Sequence, residues 1–378
     1  DSFEPKRRRA NRTRRMEEEY MKLAKHLTAL SVALFVCGSA QAADTMDPEL
    51  REKAGRAVDA GLRYLREHQS EDGSWSESVG VTALALRAFI ESHRGYNESD
   101  GAFITRPIGF IMANVREDGS ISEIAQKKNY NTAVSLTALA ATKNPDYATT
   151  IANGQKFLKG LQLDQPDGYE SDHKYYGGIG YGGDERPDLS NQYMALEALK
   201  ATATDEDDPV WDKALVFVSR AQNYSETNDQ EWAGNDGGFV YMPGYSPHEG
   251  LQSYGGMTSA GLLSLLFAGA DKSDPRVKAA YDWIRANYTL EENPGAGKQG
   301  LFYYYNVFAK CMYVYGEKEI VDTNGVAHNW REDLARKLIS LQQKDGSWYN
   351  PDSPRWWEGN KDLVTAWSVI ALNAALRD

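Results

Sequence analysis

Tyr64-Leu65-Arg66-Glu67-His68-Gln69-Ser70-Glu71-Asp72-Gly73-Ser74-Trp75 decides how this chain folds, because its pattern returns near the other end as Leu338-Ile339-Ser340-Leu341-Gln342-Gln343-Lys344-Asp345-Gly346-Ser347-Trp348. An aromatic or aliphatic pair closes a helix, a glutamine follows, and Asp-Gly makes a sharp exit. The glycine takes the positive φ that such an exit needs. The aspartate bonds its own backbone two residues on. The tryptophan then buries ~150–250 Å² of surface. Thr82-Ala83 and Thr365-Ala366 open the helix that follows each turn. These residues read as structure, not chemistry.

Weaker copies lie between the two ends. Phe110-Ile111 and Val115 lead to Asp118-Gly119-Ser120-Ile121 and Thr132-Ala133. Phe157-Leu158 and Gln162 lead to Asp167-Gly168-Tyr169, with Ser190-Asn191 on the second helix. Phe217-Val218 and Gln222 lead to Asp236-Gly237-Gly238-Phe239 and Thr258-Ser259-Ala260. Trp283-Ile284 and Tyr288 lead to Gly300-Leu301-Phe302 and Tyr303-Tyr304-Tyr305. The glutamine-equivalent positions 69, 115, 162, 222, 288 and 343 are spaced 46 to 66 residues apart. Six units of two helices each predict twelve helices, with Pro48, Pro107, Pro209 and Pro275 at first-helix starts. An open array needs atypical, polar terminal units. Here the first and last copies are the cleanest, which predicts a closed ring.

The chain has 378 residues, 41% of them hydrophobic, as a folding sequence requires. Its 42 basic against 54 acidic side chains give a charge of −12, which excludes a nucleic-acid partner. Two cysteines exclude a disulfide framework and a four-thiolate zinc site. Met21-Lys22-Leu23-Ala24-Lys25, an apolar run over 27–36 and Ala40-Gln41-Ala42 read as a signal peptide over 21–42. That leaves 43–378 as one domain and 1–20 as a disordered upstream segment. The expectation is an exported protein, periplasmic or secreted. No later stretch reaches the ~20 apolar residues of a membrane span.

The turns match the QW motif of squalene and oxidosqualene cyclases, and the helix pairs resemble the prenyltransferase and squalene-oxidase repeat. The match is closest over 60–75 and 213–222. The resemblance implies an all-α fold, an (α/α)6 toroid with six inner helices inside six outer ones and an apolar cavity within. It also implies two chemistries. Class II cyclases protonate an alkene with Asp-x-Asp-Asp-Thr-Ala at an inner-helix mouth. The Thr-Ala pairs here follow Gly80-Val81, Tyr130-Asn131 and Leu363-Val364, none of them acidic. Asp205-Glu206-Asp207-Asp208 has the acids, but Pro209 and a first-type helix follow it. Protein prenyltransferases hold zinc through Asp, Cys and His. Cys311 sits among Phe308, Met312 and Tyr313 as a small hydrophobe, and Thr365 stands where the zinc histidine would be. No metal, no cofactor and no catalytic residue is assigned.

What remains is a cavity and its rim. Loops 164–187, 224–256 and 349–361 are long, and a toroid gathers them at the inner-helix N-termini. Candidate ligand-binding residues are Tyr181, Arg186, Asp188, Asn191, Asp236, His248, Tyr254, Thr258, Tyr304, Trp356, Trp357 and Asp362. Arg186 reads as a rim ion pair with Asp188, which alternatively caps the next helix. One reading is an apolar, isoprenoid or lipid-type ligand, with either no chemistry or cyclase-like chemistry using an unusual acid. Ala83, Leu84, Ala133, Leu136, Leu196, Leu262, Leu263, Val369 and Ile370 favour it by making the second helices apolar. The other is a glycan on Tyr and Trp platforms, with hydrolysis requiring two carboxylates from Asp172, Asp184, Asp188, Asp236 and Glu358. Protein binding on the loop face is a third option.

Overall fold

The computed structural model describes residues 46–182 and 186–377. The leader expected over 21–42, the upstream segment 1–20 and Asp184 lie outside the described residues. Among the described residues twelve α-helices alternate between two layers. The outer ones are α1 (Pro48–Glu67), α3 (Ala102–Ala113), α5 (Ala148–Lys159), α7 (Val210–Arg220), α9 (Pro275–Ala286) and α11 (Trp330–Leu341). The inner ones are α2 (Val79–Ile90), α4 (Lys128–Thr142), α6 (Leu189–Ala201), α8 (Gly255–Phe267), α10 (Leu301–Tyr315) and α12 (Lys361–Leu376). The inner helices pack in the order α2–α4–α6–α8–α10–α12, and α12 packs back on α2. The ring is closed: the fold is an all-α (α/α)6 toroid. Its only described sheet is the antiparallel hairpin Ile320–Val321 with Ala327–His328. None of the described helices is long and apolar enough to cross a membrane.

The repeated turn is what joins the units. Gln69 Nε2 donates to Gly73 O in its own turn and to Phe103 O at the start of α3, each at 3.1 Å. Gln162 does the same to Gly177 and Val210, and Gln222 to Gly237 and Arg276. The last copy closes the ring: the amide of Gln342 reaches Gly346 O and Ala57 O, both at 2.9 Å. The working residue is therefore Gln342, not Gln343, whose amide turns to Leu341 O. Tyr288 replaces the amide in the fifth unit, its hydroxyl reaching Asp333 on α11 at 2.8 Å.

Glycine is required where the turn touches the next outer helix. A Cβ on Gly346 (φ +88°) would stand 2.5 Å from Ala60 O, and one on Gly177 (φ +79°) 1.9 Å from Lys213 O. In the third unit the turn glycine is Gly177 and not Gly168, which has open space around it. The insertion ahead of Gly177 hid the register. The threonines of the Thr-Ala pairs complete the joint. Thr82, Thr132, Thr258 and Thr365 accept the backbone N–H of Trp75, Ile121, Phe239 and Trp348. Gln192 Oε1 does this for Ile179, so neither Ser190 nor Asn191 is the equivalent residue. The inner helices begin three or four residues before those threonines.

Pro107 lies inside α3 and does not start it. A proline removes the N–H that would bond the carbonyl four residues back. That carbonyl is Phe103 O, which instead receives the Gln69 amide. The missing helix bond and the inter-unit tie thus compensate each other.

Candidate functional site

A cavity of about 290 Å³ opens at the N-terminal mouth of the ring. All six inner helices line it with their first two turns: Val81 from α2, Tyr130 and Asn131 from α4, Asn191 and Met194 from α6. Met257 from α8, Tyr303 from α10, and Leu363 with Trp367 from α12 complete the ring. The long loops add Tyr181, Tyr241, Asn293, Trp356 and Trp357 above them, and Lys127 lines the wall at the entry to α4. Apolar groups form the floor, and aromatic rings with amide and hydroxyl groups form the wall.

Trp356 and Trp357 have φ of +57° and +67°. Side chains rarely adopt that region, and each such residue costs roughly 1–3 kcal/mol, so the loop must be held from elsewhere. Asn350 and Glu358 hold it. The carboxylate of Glu358 accepts Leu301 N at 2.9 Å and Tyr303 N at 2.8 Å, capping α10, while Asn350 Nδ2 donates to it at 2.6 Å. Gly300 leaves room for Trp356, whose ring would stand 3.0 Å from any Cβ there. The two indoles remain 44% and 49% exposed beside a wall of buried and half-buried residues. Lys127 Nζ lies 4.2 Å over the Trp357 ring, and the Arg355 guanidinium 4.6 Å over Trp356.

Asp188 is the other buried carboxylate at the rim. It caps α6 through Asn191 N at 2.9 Å, accepts Asn191 Nδ2 at 2.8 Å, and bonds the Tyr241 hydroxyl, which also bonds Tyr181. Burial pushes Asp188 up to about 6 and Glu358 up to about 7, outweighing the donors around each. Both oxygens of each carboxylate are engaged in these caps. The wall therefore offers aromatic faces, hydroxyls, amides and one ammonium group, not a facing acid and base.

The raised carboxylates fix a sign. A group protonated more readily when folded adds stability at low pH, and loses it as pH rises through its folded value. Glu358→Gln should therefore flatten the decline of stability between about pH 4.5 and pH 7, read from urea midpoints across that range.

Of the candidate residues, Tyr181, Asn191, Tyr254, Trp356 and Trp357 line the cavity, with Asp188 directly behind Asn191 and Tyr241. His248 packs behind the wall, its ring centroid 4.7 Å from Tyr254 and 6.4 Å from Trp356. Burial and the Arg355 charge lower its pKa, and its buried Nε2 has no hydrogen-bond partner. The others go elsewhere. Thr258 is a turn acceptor, and Asp236 accepts Gly238 N and the Ser253 hydroxyl in the same joint. Tyr304 donates to Thr289 O, and Asp362 accepts Ser76 and Tyr64 hydroxyls. Arg186 is exposed and makes no ion pair with Asp188, whose described partners are helix α6 and Tyr241. Asp172 is exposed on its loop. Sequence reading missed Tyr130, Tyr303, Trp367 and Lys127; the first three look like ordinary core aromatics until the ring places them on the bore.

The bore beneath is not simply apolar, as the second helices had implied. Glu197 of α6 accepts Arg87 Nη1 of α2 at 2.8 Å, Lys310 Nζ of α10 at 2.9 Å and the Tyr193 hydroxyl at 2.8 Å. Helices α2, α6 and α10 are not neighbours in the ring, so a carboxylate touching all three stands near the axis. Arg87 also bonds Glu91, which takes Arg377 at 2.9 Å. With a 1.5 Å rise per residue, Arg87 and Lys310 lie about 10 Å below the lining residues of their helices. Burial alone would raise the Glu197 pKa, but the Arg87 and Lys310 charges overcome it and hold the group well below the carboxylate range. Glu197 is an ionised plug and not a proton source. Cys311 is fully buried, and no cluster of metal-ligating side chains occurs among the described residues.

No protein-family model matches the sequence, and no curated protein matches it. Solved structures do. An inactive variant of the α-1,6-mannanase of Salegentibacter sp. HEL1_6, in complex with α-1,6-mannotriose, is 14% identical with a TM-score of 0.55, covering 85% of this chain and 99% of its own. A type II terpene cyclase from Scytonema, in complex with geranylgeranyl dihydroxybenzoate, is 15% identical with a TM-score of 0.52, covering 88% and 99%. The protein geranylgeranyltransferase-I of Candida albicans, complexed with GGPP, is 16% identical with a TM-score of 0.53, covering 83% and 90%. At these identities the likeness concerns fold: this chain has the α/α toroid that terpene cyclases, protein prenyltransferases and a mannanase share.

Proposed function

We propose that this protein binds a glycan in the aromatic bowl at the inner-helix mouth, as an exported carbohydrate-binding toroid. The observation that carries the reading is the pair Trp356 and Trp357, half-exposed, held at positive φ over a cavity whose wall also presents Tyr130, Tyr181, Tyr241 and Tyr303. Flat apolar rings beside amides and hydroxyls suit a sugar, whose faces are apolar and whose edges hydrogen-bond. The mannanase in complex with mannotriose supports the reading only as a toroid that takes a glycan. Binding is favoured over hydrolysis because Asp188 and Glu358 are both engaged as helix caps.

The isoprenoid reading keeps one specific support, the apolar floor of Val81, Met194, Met257 and Leu363. Against it stands the charged plug beneath that floor, which sets an ionic layer in the path of a long apolar chain. The test is a glycan array followed by calorimetry on the best ligand. Trp357→Ala should weaken binding at least tenfold while the thermal midpoint stays within a few degrees. An array with no binder, together with an apolar molecule copurifying in the protein's mass spectrum, would replace the glycan by a lipid.

A further inference from the structure

The mouth of the ring carries a charge pattern opposite to that of the chain. The protein has a net charge of −12, yet among the described residues the cavity wall holds one ammonium group, Lys127, and no carboxylate. Lys127 makes no ion pair among the described residues; its nitrogen rests on the Trp357 ring. Arg355 lies the same way on Trp356 and bonds only the neutral Gln299, at 2.6 Å. Two cations thus sit on the two indoles that form the rim, without counter-ions among the described residues.

Four described acids near the mouth are already engaged. Asp188 and Glu358 are buried in helix caps, Glu123 is held by the Asn131 amide at 2.7 Å, and Asp362 by Ser76 and Tyr64. Lys128 and Lys361, also at the mouth, already pair with Asp118 and Asp345. Behind Trp356 the unpartnered Nε2 of His248 adds an unused polar atom. Six helix N-termini converge on the same space and add positive potential.

From this we infer that the glycan is anionic, bearing a carboxylate or sulfate group that Lys127 and Arg355 bind while a sugar ring stacks on Trp357 or Trp356. The inference rests on the glycan reading. Held on the two rim indoles and joined to no acid among the described residues, these two cations remain available to a ligand. Unlike a surface charge field, which the net −12 would make repulsive, this is a local clamp.

The experiment is calorimetry on the whole protein with three sets of oligosaccharides of matched length: uronate-containing, sulfated and neutral. At low salt one anionic set should bind at least tenfold tighter than the neutral set, with the advantage shrinking as salt rises. Which anionic set it is distinguishes carboxylate from sulfate. Lys127→Gln and Arg355→Gln should each remove most of that advantage, and Lys127→Arg should keep it. A Trp357-dependent site that binds neutral and anionic sugars equally, or an anionic preference unchanged in Lys127→Gln, would overturn the inference and leave glycan binding standing. If no set binds, both fall.

Discussion

Glu197→Ala should lower the stability of this protein by ~3–5 kcal/mol, the cost of leaving buried charges without their partner. The carboxylate is shared by Arg87, Lys310 and Tyr193, whose side chains are almost wholly shielded from water. Without it, Lys310 keeps no acid, and Arg87 keeps only Glu91. Guanidinium denaturation of the variant reads the loss directly. The triple variant Arg87→Met, Glu197→Leu, Lys310→Met separates two meanings of that loss. Apolar replacement of a buried ion cluster is often neutral or stabilising, and Glu91 keeps Arg377, so the triple variant should recover most of what the single one loses. A single variant within about 1 kcal/mol of the parent would contradict an axial plug. The pH sign follows too. A depressed carboxylate contributes stability above its ordinary value, lost only as pH falls toward the depressed one, so the plug should hold throughout the neutral range.

Trp348→Ala should cost a similar ~3–5 kcal/mol, and through a different mechanism. Trp348 is fully buried, its Nε1 donates to Leu338 O at 2.7 Å, and its backbone N–H is held by Thr365 at 3.0 Å. It lies on the seam where the last unit meets the first: a Cβ on Gly61 would stand 2.8 Å from its ring. Truncation therefore empties a cavity where the first and last units meet. Hydrogen exchange should show α1 and α12 losing protection together, since each packs on the other. Loss of protection confined to α12 would mean that the ring is not closed there.

Much of the fold was legible because its joints are local. A glutamine that reaches four residues on and one unit ahead, a glycine pressed on a carbonyl, and a threonine under a turn amide each leave a residue at fixed spacing. The third unit was misread where a long insertion separates Gln162 from Gly177, so spacing no longer located the glycine. Pro107 was misplaced because its cost is cancelled by Gln69, a residue in another unit.

The site was less legible, and for a physical reason. Lining residues come from the first two turns of six helices spread from α2 to α12, and nothing local marks which face turns to the axis. Tyr303 faces the bowl and Tyr304 does not, a distinction of one helical step. The plug left a signal that was not used. Arg87 and Lys310 are the single charges of α2 and α10, and Glu197 is the one acid of α6; a charge in a buried helix requires a partner.

A crystal structure of the protein with its best-binding acidic oligosaccharide addresses the bowl itself. The expected density is a sugar ring stacked on Trp356 or Trp357, its acidic group within hydrogen-bond distance of Lys127 or Arg355, and the Glu197 plug intact below. Density for the sugar at another surface with the bowl empty, or an apolar chain running down the bore past a displaced Glu197, would contradict the account.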